Sequence, residues 1–259
     1  INETEFVNGI AAMSNSGLYG KTKIAEGIVG SAPLLFGDKV ANILDKHISV
    51  APKRFKGIRS QAAMHPDGTI PSTRARPIEG VYINDMFHQG FAHLEPRNLS
   101  FEAWCYHPQL PQLIQLARKF PNTSIILNHF GGPLGIGSFS DKEEETYSFW
   151  EKHITELSKC ENVVAKLGGI AMEINGFKWH LNKKAPSSLE LINRTKRYYE
   201  KTLDLFGIDR CMFESNFPVD KISCSYVNLW NGFKLLTKEY SPDERTKLFH
   251  DNATRIYKL

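Results

Sequence analysis

In three short stretches of this 259-residue chain, polar or titratable side chains interrupt or close an apolar run. In SIILNHFGG, residues 124 to 132, the run Ile125 to Leu127 is followed by His129, and Gly131-Gly132 let the backbone turn away tightly. A histidine placed there can bind a metal, move a proton or donate to a substrate oxygen, or it can cap a turn. In VVAKLGG, residues 163 to 169, Lys166 interrupts an apolar strand, where an ammonium needs an ion-pair partner or a catalytic task. In CMFESNFPVDK, residues 211 to 221, Glu214 and Asn216 follow Cys211-Met212-Phe213 and are stopped by Pro218.

Two further stretches supply groups suited to substrate binding. Arg59 ends the short strand KGIRS, where a guanidinium can grip a carboxylate bidentately or lie in solvent. FEAWCYHPQ places Glu102, Trp104 and Tyr106 on one strand face with His107 just beyond, so Trp104 and Tyr106 either line a pocket or fill core. GGPLGIGS resembles a dinucleotide loop by composition, but Pro133 interrupts it and its spacing fails the fingerprint. The chain also lacks a G-x-S-x-G elbow, a P-loop and an H-E-x-x-H helix.

These residues need a parallel α/β framework to meet. Apolar runs predict strands near Ile24–Gly30, Phe55–Ser60, Ser100–Tyr106, Ser124–Phe130, Val163–Gly169 and Cys211–Phe217. Helical periodicity fills Gly37–Val50, Pro111–Lys119, Lys142–Lys159, Ser188–Phe206 and Ser225–Glu239, with a last helix around Asp243–His250. Ser140 with Glu143, Ser187 with Glu190 and Ser241 with Glu244 each have capping-box spacing, and Pro242 adds a favoured first-turn proline. Repeated β-then-α units imply parallel strands with right-handed crossovers, and six units suit either an open doubly wound sheet or part of an eight-stranded barrel.

Bulk properties narrow the class. The net charge of +4 is spread along the chain, and its densest basic piece, Lys178 to Arg197, is broken by acids and apolar residues, which argues against a nucleic-acid stripe. No apolar run approaches a membrane span. Cys105, Cys160, Cys211 and Cys224 show no C-x-x-C spacing and read as reduced, packed thiols, in keeping with a cytoplasmic protein. The partner expected is a small-molecule substrate, with homo-oligomerisation left open.

Taken together, ILNHFGGP, VVAKLGG, RCMFESNFPVDK and the closing NATRIYKL resemble the amidohydrolase-related TIM-barrel family. The nearest group contains sugar lactonases and pyrone-dicarboxylate and sulfomuconolactone hydrolases. The resemblance runs from about Phe6 to the C-terminus. It implies one (β/α)₈ barrel domain over residues 1–259 with its first two β/α units absent, and an active site at the C-terminal mouth of the strands. The family's first strand carries an H-x-H pair, and no H-x-H occurs in this sequence.

By the same resemblance His129 matches the mid-barrel histidine, and Asn216 falls where the family has its water-activating aspartate. The carboxylate is then expected one layer down the inward face at Glu214, about 6.6 Å along the strand, with Asn216 positioning and Lys166 paired to Glu214 across about 5 Å. Arg59 would steer a substrate anion. A catalytic zinc needs three protein ligands plus water, and His129 is the one credible ligand, so a site that needs no metal is expected, with one divalent metal such as zinc as the alternative. The activity implied is hydrolysis of a lactone or related cyclic ester by activated water. The rivals are metal-dependent decarboxylation and a non-catalytic ligand-binding barrel. The chain by itself is expected to be inactive and poorly stable, because open sheet edges leave strands unpaired.

Overall fold

The computed structural model describes residues 1–72 and 78–259. Among the described residues, six parallel strands form one sheet whose spatial order follows the chain: β1 Ile28–Gly30, β2 Phe55–Gln61, β3 Ser100–Trp104, β4 Ile125–Leu127, β5 Val163–Leu167 and β6 Cys211–Phe213. A doubly wound sheet reverses its order at a switch point, whereas this order never reverses, which is the winding of a barrel.

Helices α1 Asn2–Asn15, α2 Ala41–Val50, α3 Asp85–Phe91, α4 Leu110–Lys119, α5 Glu143–Ser158, α6 Ser188–Phe206 and α7 Tyr226–Leu236 are joined by α8 Pro242–Thr246 and α9 Asn252–Tyr257 at the end of the chain. No helix among the described residues is long and apolar enough to cross a membrane.

Strand alternation separates two environments. Phe101, Ala103, Ile125, Leu127, Val163, Ala165, Leu167, Cys211 and Phe213 point into the main core with Leu113, Trp150, Ile154, Tyr199 and Phe233 of the helices. The intervening residues Ile126, Val164 and Met212 form a separate cluster against Ala253, Ile256 and Tyr257, so α9 packs under the inward face. Glu102 on β3 pairs in register with Ile126, Lys166 lies one inward step beyond Val164 on β5, and just past the end of β6 comes Glu214.

Several sequence expectations change here. Strands β3 to β6 stop earlier than expected, whereas β1 ends at Gly30 as expected and β2 runs on to Gln61; after β4 and β6 the backbone leaves the ladder, with φ of 53° and 58° at His129 and Phe130 and 52° at Asn216. Ser187 and Ser241 make the capping boxes expected of them. Ser140 does not, since α5 begins after Lys142 without a side-chain cap. The Glu143 carboxylate instead binds Arg194 Nη1 at 2.6 Å and Arg197 Nη2 at 2.8 Å on α6, and is not free to fold back. Helix α1 has no predicted counterpart because the residues it buries, Thr4, Ala11 and Ser14, make no apolar stripe. Helix α3 lies outside the predicted periods and starts on Asn84, whose side chain accepts from the Phe87 N–H.

Candidate active site

Five strands, β2 to β6, deliver charged or polar groups to the concave face. Lys166 of β5 lies with its Nζ 2.8 and 3.0 Å from the two oxygens of Glu102 on β3, and 3.5 Å from Glu214 Oε2. The expected Lys166–Glu214 pair is therefore present, but it is the longer arm of a bridge whose tighter end is Glu102. Side-chain length is the reason: Lys166 spans β4 to reach a carboxylate that stays inside its own strand, while Glu214 has already left β6. Glu102 Oε2 also accepts from Asn128 Nδ2 at 3.1 Å, and Oε1 accepts from the Tyr257 hydroxyl. Every direction around Glu102 is thus occupied.

The His129 end is organised differently. His129 is buried, its Nδ1 is 2.6 Å from Glu214 Oε1, and its Nε2 is 3.1 Å from Arg59 Nη2. A guanidinium only donates, so Nε2 is the accepting nitrogen and the imidazole proton belongs on Nδ1, facing Glu214. The Nδ1–Oε1 contact is close but off the line of a good hydrogen bond, and among the described residues neither atom has another partner. Arg59 Nε and Asn128 Oδ1 are likewise buried without partners among the described residues. Such orphaned atoms are costly in a core and are found where a ligand or water completes the bonding.

The local backbone explains the contact. His129 to Gly132 are four consecutive residues with positive φ, a costly run for the two that are not glycine. A Cβ on Gly169 would lie 2.2 Å from His129 Nδ1, and one on Gly168 would lie 2.0 Å from the Glu214 carbonyl oxygen. The Gly168-Gly169 pair that ends β5 therefore lets that loop pass against both residues.

Charge balance follows the geometry. Burial acts to raise the Glu214 carboxyl, but its neighbours His129, Lys166 and Arg59 outweigh it and hold it down at about 2. Burial alone would lower Lys166, yet Glu214 and Glu102 together raise it, so the ammonium stays charged. Asp220 is fully buried; burial pushes it up to about 6, against hydrogen bonds from Asn216 Nδ2 at 2.6 Å and the Ala171 N–H at 3.2 Å. Among the described residues Arg59 has no carboxylate partner, so its charge is available to a ligand. It borders both a cavity of about 340 Å³ shared with Glu102, Lys166 and Tyr257 and one of about 560 Å³ shared with Leu34, Gln61 and Val81.

The remaining expected residues divide. Trp104 stacks edge-on against His129, with ring centroids 4.9 Å apart, and forms a wall of the site. Tyr106 packs on Trp104 but sends its hydroxyl to the Pro71 carbonyl. Asn216 does not stand above Glu214 on a strand; it lies in the loop after β6 and binds Asp220. His107 does not join the group. It is buried between Phe139 and Phe149, accepts the Leu134 N–H on Nδ1, and is pushed down to about 3 by burial. Its position just beyond the strand end, which suggested a pocket, sends it instead toward α5.

Glu102, Asn128, Asp220 and Tyr257 belong to the network without having been singled out as site residues. Glu102 had a signal in its alternation with Trp104, and Asn128 in its adjacency to His129. Asp220 and Tyr257 had none strong enough to separate them from ordinary loop and helix residues.

No three His, Cys, Asp or Glu side chains among the described residues are grouped to hold a metal ion. His129 offers one nitrogen to a carboxylate and the other to a guanidinium, and the guanidinium would repel a cation at Nε2. The residues present do not fit a metal centre.

Titratable groups gather at and just beyond the C-terminal ends of parallel strands on a sheet wound in barrel order, which is where barrel enzymes carry their sites. The chain belongs to the amidohydrolase family, which matches residues 22–259. A protein of Sinorhizobium fredii (strain NBRC 101917 / NGR234) named uncharacterized protein y4mH is 34% identical over 99% of this chain and 75% of its own length. An L-fucono-1,5-lactonase of Burkholderia multivorans is 26% identical, over 67% of this chain and 56% of that protein. The crystal structure of an amidohydrolase from Burkholderia multivorans with bound zinc superposes with a TM-score of 0.79 at 21% identity, covering all of this chain and 79% of that one. The six β/α units are thus part of a TIM-type barrel.

Proposed function

We propose that the protein hydrolyses a lactone, with His129 as the general base. The observation that carries this reading is the placement of one buried imidazole between the Glu214 carboxylate and the Arg59 guanidinium. A carboxylate held at about 2 is too weak a base to take a proton from water by itself, so Glu214 acts through His129 rather than directly on the nucleophile.

In this scheme a substrate draws Arg59 off Nε2 and onto its carbonyl oxygen. Water bound at Nε2 attacks the carbonyl carbon and passes its proton to His129, while Glu214 stabilises the imidazolium. Arg59 stabilises the oxyanion of the tetrahedral intermediate. As the ring C–O bond breaks, His129 returns the proton to the departing alkoxide, and the second proton of the water leaves the new acid for solvent, so that a hydroxy carboxylate rests on Arg59. Lys166 keeps Glu214 ionised throughout. Trp104 closes one side of the imidazole against solvent.

The relatives named L-fucono-1,5-lactonase support a sugar lactone as the substrate class. The test is acid release at constant pH from L-fucono-1,5-lactone and other six-membered aldonolactones, using the intact protein. Saturable turnover that is lost in His129→Asn is expected. Saturable binding without turnover of any lactone would mean a binding protein on the same barrel. One equivalent of tightly held zinc in the active protein would replace His129 by metal-activated water as the source of the nucleophile.

A further inference from the structure

We propose that Tyr257 is a positioning residue of the site, through which the C-terminal helix α9 sets where the Lys166 ammonium stands between Glu102 and Glu214. This rests on the lactone-hydrolase reading for its kinetic readout and on geometry for its substance. Tyr257 comes from the last turn of α9, with its neighbours Ala253 and Ile256 packed against the inward residues Ile126, Val164 and Met212. The sheet thereby holds the ring from below. Its hydroxyl donates to Glu102 Oε1, and its ring centroid lies 5.7 Å from Lys166 Nζ. Burial raises the phenol, so it stays protonated and remains a donor.

The consequence follows from counting partners. With Tyr257 on Oε1 and Asn128 on Oε2, the Glu102 carboxylate shares its charge among three donors, and Lys166 is left 3.5 Å from Glu214. Without the hydroxyl, Glu102 Oε1 keeps Lys166 as its sole donor, and the buried carboxylate draws the ammonium closer to itself. Lys166 then moves away from Glu214, the carboxylate that orients His129. Among the described residues, the titratable and charged groups facing this bridge are Arg59 from β2, Glu102 from β3, His129 after β4 and Glu214 after β6, with Asp220 beside Glu214. None of them replaces the lost donor, since the cationic Arg59 is already on His129.

Tyr257→Phe removes the hydroxyl and keeps the ring, so packing under the sheet is preserved and the variant is expected to fold. With the intact protein, kcat should fall about tenfold while KM stays within about twofold. In a Lys166→Gln background, Tyr257→Phe should have no further effect on kcat, because the hydroxyl acts through the ammonium. Independently of turnover, the ¹⁵N–¹H resonance of the Lys166 ammonium, identified by its loss in Lys166→Gln, should shift in Tyr257→Phe. An unchanged kcat together with an unchanged ammonium resonance would overturn the proposal and leave Tyr257 as packing alone. So would a loss of kcat in Tyr257→Phe that is repeated in full in the Lys166→Gln background. If no lactone is turned over but the resonance shifts, the lactonase reading fails and the positioning role of Tyr257 stands.

Discussion

Glu102 and Glu214 reach the same lysine from opposite sides of the cavity, and their surroundings differ. Glu102 is held by Lys166, Asn128 and Tyr257, with every oxygen direction used. Glu214 has a longer contact to Lys166 and a close but poorly directed one to His129, with Oε1 left without an aligned partner. A saturated buried carboxylate stabilises the fold and fixes its neighbours. An unsaturated one retains bonding capacity that a substrate, a water or a protonated histidine can use. The same residue type is therefore an anchor at one position and part of the reactive group at the other, and hydrogen-bond count separates the two.

Substitutions that keep shape and remove charge sharpen this contrast. Glu214→Gln should fold normally and lose at least about 100-fold in kcat, because the imidazolium loses its counter-charge in the transition state. Steady-state kinetics beside a circular dichroism spectrum checks it, and full turnover by folded protein would break the distinction. Glu102→Gln should act first on stability, costing about 3 kcal/mol, because removing one partner of a buried pair leaves an ammonium under-compensated. Chemical denaturation measures that cost, and a variant as stable as the parent would show that Glu102 is no anchor.

The smallest effect is expected at Asp220, which lies beside the reactive end without belonging to it. Its folded value, about 6, is raised above the ordinary carboxylate value of 3.8. Its contribution is therefore fully present below about pH 4 and is lost as pH rises through about 6. Asp220→Asn removes that dependence, so its stability relative to the parent should improve by on the order of 2 kcal/mol from pH 4 to pH 7. Denaturation curves at the two pH values check this. A difference that stays constant across the range would mean that Asp220 ionises as freely as it does in the unfolded chain.

How far the sequence could be read depended on how local each feature is. The strand cores, helices α4 to α7 and the capping boxes at Ser187 and Ser241 depend on residues close to each other in the chain, and they stand where the pattern put them. The Ser140 box failed for a nonlocal reason, the capture of Glu143 by two arginines on α6. Helix α1 escaped notice because Thr4, Ala11 and Ser14 carry its contacts. Within the site, His129, Lys166, Glu214 and Arg59 could be picked out because each closes or interrupts an apolar run. His107 satisfied the same rule and went to the helix layer instead.

The sequence by itself determined which residues have chemistry to offer and that parallel strands would carry them to one side. Alternation and apolar runs are properties of neighbouring residues, and a linear chain displays them. Tertiary structure alone decided that Lys166 binds Glu102 more closely than Glu214, that Arg59 meets His129 across 70 positions of chain, and that Tyr257 comes up from the last helix to reach Glu102. Those choices depend on the curvature of the sheet and on side-chain length measured across strands, and neither is encoded in the spacing of residues along the chain.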